Sequence, residues 1–230
     1  MTTIPGNLQH VRARIATACQ RAGRGVEEVT LLAVSKTFGA DAVRAAAAAG
    51  QRAFGENYIQ EGVEKIAALR DLGLMWHCIG PIQSNKTRLV AEHFDWVHTV
   101  DRLKIAERLS AQRPADLPPL NVCIQVNIDG GANKSGVAPG EALALARAVA
   151  ALPQLKLRGL MSIPEIAPDF EAARAVHASA RALFDQLNAD GLGLDTLSMG
   201  MSDDLEAAIA AGSTMVRVGT AIFGSRASKP

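Results

Sequence analysis

The chain has 230 residues, 48% of them hydrophobic, with 24 basic and 23 acidic side chains and a net charge of +1. This is enough apolar material for one α/β barrel or two smaller domains. The balanced charge argues against a protein built around nucleic acid, which carries a clear basic excess. No apolar run approaches the roughly 18 residues that a membrane span needs. The opening MTTIPGNLQHVRARIA lacks the apolar stretch behind a basic head that marks a secretory signal. Three cysteines (Cys19, Cys78, Cys123), odd in number and without CxxC spacing, fit reduced thiols in a cytoplasmic protein. Metal binding is not expected. The five histidines are scattered, and His93 and His98 are five apart, on no shared helix or strand face.

Taken in chain order, the first element is a helix over Asn7–Ala22, where Leu8, Val11, Ile15 and Ala18/Cys19 recur at helical spacing and Gly23 offers a stop. Strand-like runs then follow at Thr30–Ser35, Arg52–Gly55, Leu74–Gly80 and Phe94–Val100. Four more lie at Leu120–Ile128, Leu155–Ser162, Asp195–Met199 and Thr214–Val218. Helical patterns separate them. The alanine-rich Ala45–Ala49 suits a helix, and another opens at Asp101, read as an N-cap, and breaks before the proline-rich Pro114–Pro119. From Asp169, the residues Phe170, Ala173, Val176, His177, Ala180, Leu183, Phe184 and Leu187 form one apolar stripe. Ser202-Asp203-Asp204 reads as a cap and acidic first turn ahead of Leu205, Ala208 and Ile209.

Eight strands alternating with helices predict an α/β fold, a single (β/α)8 TIM-type barrel over residues 1–230 with an extra N-terminal helix. An open nucleotide-binding sheet would want GxGxxG directly after a strand. The nearest glycines, Gly191 and Gly193, precede a strand and have Thr196 where the third glycine belongs.

Barrels of this type place their chemistry at the C-terminal ends of the strands. The residues to inspect are therefore Lys36, Glu56-Asn57, Pro81–Lys86, Asn127 with the Asn133–Gly136 loop, Ser162-Ile163-Pro164, Gly200-Met201-Ser202 and Gly219-Thr220. Lys36 directly follows TLLAVS, which aims its amine into an apolar mouth. Burial there disfavours the ammonium and makes a lysine nucleophilic; the plain alternative is a lysine snorkelling to solvent. The last two loops, SMGMSDD and RVGTAIFG, are rich in small residues that let backbone N–H groups approach an anion. Loops after strands seven and eight are also where barrel enzymes frequently hold phosphate. Arg217 adds a guanidinium nearby, facing either inward or toward the helices. A mouth lysine opposite phosphate-type loops describes a phosphate-bearing aldehyde or ketone. The residues alone leave pyridoxal phosphate and an aldolase's sugar phosphate both open.

The segments LLAVSKTF, FGENYIQE, WHCIGPIQSNK and SMGMSDDLEAAIAAGSTMVRVGTAIFG resemble the pyridoxal phosphate homeostasis protein family, fold type III barrels related to the N-terminal domain of alanine racemase. The resemblance runs from about Leu31 to Gly224. It implies that Lys36 is the Schiff-base lysine. It further implies that Ser198, Met199, Gly200, Ser202, Arg217, Gly219 and Thr220 surround the phosphate and that Asn57 lines the pocket. Lys134-Ser135-Gly136 also matches, without an assigned contact. A role in vitamin B6 and amino- or keto-acid balance is implied, with apo-enzymes that use this cofactor, or enzymes of B6 metabolism, as candidate partners.

A racemase needs acid/base groups on both faces of the substrate carbon. In the related racemases the second base is a tyrosine from a further domain, and here the chain ends at Pro230, six residues after Gly224, with Tyr58 its single tyrosine. The expectation is therefore a monomeric carrier with an open mouth. The alternative is an amino-acid racemase or related enzyme acting at the α-carbon. Cys78 and Cys123 are expected as core thiols, His77 as a packed histidine, and Lys86 and Arg88 on a solvated helix face.

Overall fold

The computed structural model describes residues 3–132 and 135–225. Eight parallel strands close in sequence order into a barrel, β1 pairing with both β2 and β8. They are β1 (Thr30–Val34), β2 (Ala53–Glu56), β3 (Met75–Cys78), β4 (Trp96–Val100), β5 (Leu120–Gln125), β6 (Leu155–Met161), β7 (Thr196–Ser198) and β8 (Met215–Val218). A helix, α1 (Ile4–Arg21), precedes the barrel. The connecting helices are α2 (Ala40–Ala48), α3 (Ile59–Ala68), α4 (Thr87–His93), α5 (Leu103–Gln112), α6 (Ala142–Ala150), α7 (Phe170–Ala189) and α8 (Leu205–Ala210). A last turn of helix, α9 (Thr220–Phe223), follows β8. The barrel and the extra helix agree with the fold expected from the sequence.

Alternation along each strand sorts side chains into two cores. Leu32 and Val34 of β1 meet Ile79 and Met215 inside the barrel, while Ala33 belongs to the larger core between strands and helices. A second interior cluster joins Trp96, Cys123 and Met161. The strands stop short of the apolar runs that suggested them: the fifth run extends to Ile128, but regular pairing ends at Gln125. What lies beyond is loop at the barrel mouth, apolar in composition because it is still partly buried.

Two expected caps are not caps. The residue before α5 is Arg102, with no side-chain cap, and Asp101 instead accepts the Gly136 N–H at 3.1 Å. At α8 the flanking residue is Asp204 rather than Ser202. Its carboxylate accepts the Met201 N–H at 2.7 Å and bonds His177 Nε2 at 2.8 Å. In both cases a loop or a neighbouring helix claims the carboxylate before its own helix does. Asp169 caps α7 as read, accepting from the Ala172 N–H, although Phe170 at the head of the apolar stripe is exposed.

Candidate cofactor site at the barrel mouth

Interior parity carries up to the C-terminal end of the barrel. Leu32 and Val34 point inward, so Lys36 two residues on continues that face, half-buried where β1 ends. Ala53 packs with the interior cluster, and a side chain at Gly55 would meet Leu32 and Ile79, so Asn57 follows the inward face of β2. Asn57 Oδ1 is buried without a partner, as are Ser162 Oγ at the end of β6 and Asn127 Oδ1 beyond β5. These atoms can accept or, for Ser162, also donate, and burial without a partner is costly for each.

Arg217 settles inward. It is buried, with one guanidinium nitrogen donating to Ser198 Oγ at 2.7 Å and another to the Ser162 carbonyl at 2.9 Å. Burial lowers its pKa to about 10, which leaves it cationic at neutral pH. A charged group therefore sits inside the barrel against two neutral acceptors, an arrangement that favours an anion nearby.

Ser198 also touches His98, Nδ1 to Oγ at 2.9 Å, and His98 Nε2 meets His77 Nδ1 at 2.8 Å. In the arrangement that satisfies both Ser198 and His98, the Ser198 hydroxyl donates to His98 and His98 donates to His77. Burial pushes the His77 pKa down to about 3, and burial, with the nearby Arg217 guanidinium, holds His98 well below its ordinary value. Both imidazoles are neutral, and His77 stacks on Trp96 with ring centroids 5.1 Å apart. This file of polar groups forms a rigid floor beneath the mouth.

The rim is the pair of loops after β7 and β8. Gly200 has φ +98°, and a Cβ there would lie 2.5 Å from the Ala208 Cβ, so only glycine fits. At Gly219 a Cβ would press on the Val34 carbonyl oxygen at 3.2 Å, the close approach that joins this loop to the end of β1. Gly200 accepts the Arg217 N–H, and Thr220 Oγ1 donates to Ser202 Oγ at 3.3 Å, tying the two loops together. Met199 faces the helix layer, fully buried, with its N–H donated to Met215 and its carbonyl accepting from Ser213. Its part is to pack the β7 loop.

Of the residues singled out from sequence, Lys36, Asn57, Gly200, Ser202, Gly219 and Thr220 lie on the end segments of β1, β2, β7 and β8, with Ser198 and Arg217 just beneath. Lys134, with Asn133, lies outside the described residues. Tyr58 flanks α3 and is half-exposed. Cys78 and Cys123 are buried thiols, pushed up to about 12 by burial. Sequence reading missed His98 as part of the floor, Glu61 and Lys65 beneath Lys36, and the His177–Asp204 pair. No local signal exposes these, because each depends on which strand or helix lies alongside. Among the described residues no His, Cys, Asp and Glu cluster suits a metal ion.

The family model described as alanine racemase, N-terminal domain, matches residues 6–227. The chain is 64% identical over 226 residues to the pyridoxal phosphate homeostasis protein of Pseudomonas aeruginosa, covering 98% of this chain and 97% of that one. It is 59% identical over 233 residues to the protein of the same name from Escherichia coli, covering 98% of each. The structure of PipY from Synechococcus elongatus with PLP bound superposes with a TM-score of 0.80 at 40% identity, covering 91% of this chain and all of that one. The chain belongs to the alanine racemase N-terminal-domain family, in its branch of pyridoxal phosphate homeostasis proteins.

Proposed function

We propose that this protein binds pyridoxal 5'-phosphate at the barrel mouth on Lys36 and serves vitamin B6 and amino- or keto-acid homeostasis as a cofactor carrier. The observation that carries the reading is the convergence of Lys36 with two glycine-built loops over a buried, anion-seeking Arg217. The residues fit the group: a primary amine at the end of β1, small-residue loops for a phosphate after β7 and β8, and partnerless Asn57 Oδ1 and Ser162 Oγ at the ends of β2 and β6. When bound, the cofactor would supply an aldehyde carbon within the chemistry of a primary amine, and a phosphate dianion.

The chain's own residues then divide the work. Lys36 would provide the nucleophile, while the N–H groups of Gly200, Ser202, Gly219 and Thr220, with the Ser202 and Thr220 hydroxyls, would hold the phosphate. Arg217 supplies the nearby positive charge, held in place by Ser198 and the Ser162 carbonyl. Asn57 packs the side of the pocket nearest Lys36. The neutral His98–His77 pair keeps Ser198, and through it Arg217, fixed. The name and bound cofactor of the relatives support this reading. Apo-enzymes that need the cofactor, or enzymes of B6 metabolism, are the proposed partners, and the cytoplasm, where three buried cysteines stay reduced, the proposed compartment.

A titration with pyridoxal phosphate followed by visible absorption tests the binding. A band bleached by borohydride and lost in Lys36→Ala is expected. Incubating the loaded protein with a panel of L-amino acids then tests the carrier role. Slow or no formation of D-isomers is expected, whereas robust turnover that depends on Lys36 would sink it in favour of a racemase.

A further inference from the structure

Lys36 is followed by a residue in a conformation its type resists. Thr37 has φ +70°, a left-handed value rare for a β-branched residue and held only where the surroundings impose it. The Thr37 N–H is donated to Glu61 Oε1, on the first turn of α3, at 2.6 Å. The same oxygen accepts from Lys65 Nζ at 2.7 Å, one helical turn along.

Lys65 is the anchor of a larger cluster. Its side chain is 6% exposed, and Nζ also donates to the Ser35 carbonyl at 2.8 Å and to the fully buried Glu56 at 2.7 Å. The Ser35 hydroxyl donates to that same Glu56 oxygen at 2.6 Å. All three ammonium protons are committed. The residues on either side of Lys36 are thus both fixed to α3, Ser35 by its carbonyl on Lys65 and Thr37 by its N–H on Glu61, while the Ser35 hydroxyl ties to Glu56 of β2. The cluster lies on the helix side of β1 and β2, away from the interior face that Lys36 continues. A buried ion pair of this kind adds little net stability against an apolar alternative, while its hydrogen bonds hold Ser35, Glu56, Glu61 and Lys65 in one arrangement.

We propose that Glu61, seated on Lys65, is a positioning residue for Lys36. It holds the Thr37 peptide in the left-handed turn that ends β1, and so sets the direction in which the lysine enters the mouth. The proposal rests on the reading of Lys36 as the cofactor lysine. Glycine adopts φ +70° freely, so a glycine at position 37 removes the need for the Glu61 clamp.

The experiment compares wild type, Glu61→Ala, Glu61→Gln and the Glu61→Ala/Thr37→Gly double variant. Two quantities are read: pyridoxal phosphate affinity from the visible band, and amide exchange of the 35–38 segment in cofactor-free protein. Glu61→Ala is expected to weaken binding about tenfold or more and to speed exchange at Thr37. Glu61→Gln, which keeps the accepting oxygen, and the double variant should both bind within about threefold of wild type, since each retains or replaces the turn. Wild-type affinity and exchange in Glu61→Ala would overturn the proposal. A loss that neither Gln nor the added glycine restores would overturn it too, by showing that general stability or charge is at issue. Failure of the cofactor reading has a different signature: no visible band in wild type, or an equal one in Lys36→Ala. The exchange measurement tests the clamp in either event.

Discussion

His77 and His98 stay neutral inside the barrel, whereas their unfolded counterparts protonate near the ordinary imidazole value of 6.5. Below that value the unfolded chain binds protons that the folded chain refuses. Stability present at neutral pH is therefore lost as pH falls from 6.5 toward the folded value, about 3 for His77. Each histidine contributes about 1.4 kcal/mol per pH unit within that window. Replacing His98 by Asn, which is neutral at every pH in question, should remove roughly half of the histidine part of the slope. Urea unfolding of both proteins between about pH 7 and about pH 5 measures it, above the range where most carboxylates titrate. Equal slopes would mean that the pair is not shielded as the geometry indicates. From the sequence, His77 was legible as a packed residue, but its pairing with His98 needs the register of β3 against β4, His77 opposite Trp96, which periodicity does not provide.

At the scale of elements, the helix ahead of the barrel is tied to both mouth loops. Asn7 Nδ2 donates to the Ile222 carbonyl in α9 at 2.8 Å. Arg14 donates to the Ser202 carbonyl at 2.9 Å and holds Glu206 of α8 through two bonds at 2.7 and 2.9 Å. Partly exposed ion pairs of this sort contribute only about 0–1 kcal/mol to global stability, so their effect belongs to the loop. Arg14→Met should leave the melting transition nearly unchanged while speeding amide exchange over residues 200–206 and weakening pyridoxal phosphate binding several-fold, roughly threefold to tenfold. Unaltered exchange in that segment would show that α1 only packs. The spacing of Leu8, Val11 and Ile15 made α1 legible as a helix, and all three are buried. Its tethers were not legible, because Arg14 and Asn7 look like ordinary surface residues until the helix is docked. The failed caps at Asp101 and Ser202 teach the same lesson: cap preferences are local, and here the Asp101 carboxylate accepts from Gly136 and the Ser202 hydroxyl from Thr220, both distant in sequence.

For the molecule as a whole, eight apolar runs alternating with helices were enough to predict closure, since parallel strands joined by helices leave few topologies. The position of Lys36 at the end of the first run, and of Gly200 and Gly219 at the ends of the last two, was legible for the same reason: the fold rule assigns strand ends to one face. Lys65 was not legible as part of that face. In sequence it is one more charged residue on an amphipathic helix, and only the packing of α3 on β1 and β2 buries it beside Glu56. The described helices include none long and apolar enough to cross a membrane. The central claim, that Lys36 carries the cofactor, is most directly tested by loading the protein with pyridoxal phosphate, reducing with borohydride and mapping the modified peptide by mass spectrometry. One adduct per chain is expected, on the peptide that contains Lys36, and none in a folded Lys36→Ala variant. Full labelling at another lysine, or a folded wild-type protein that takes no label, would contradict the account.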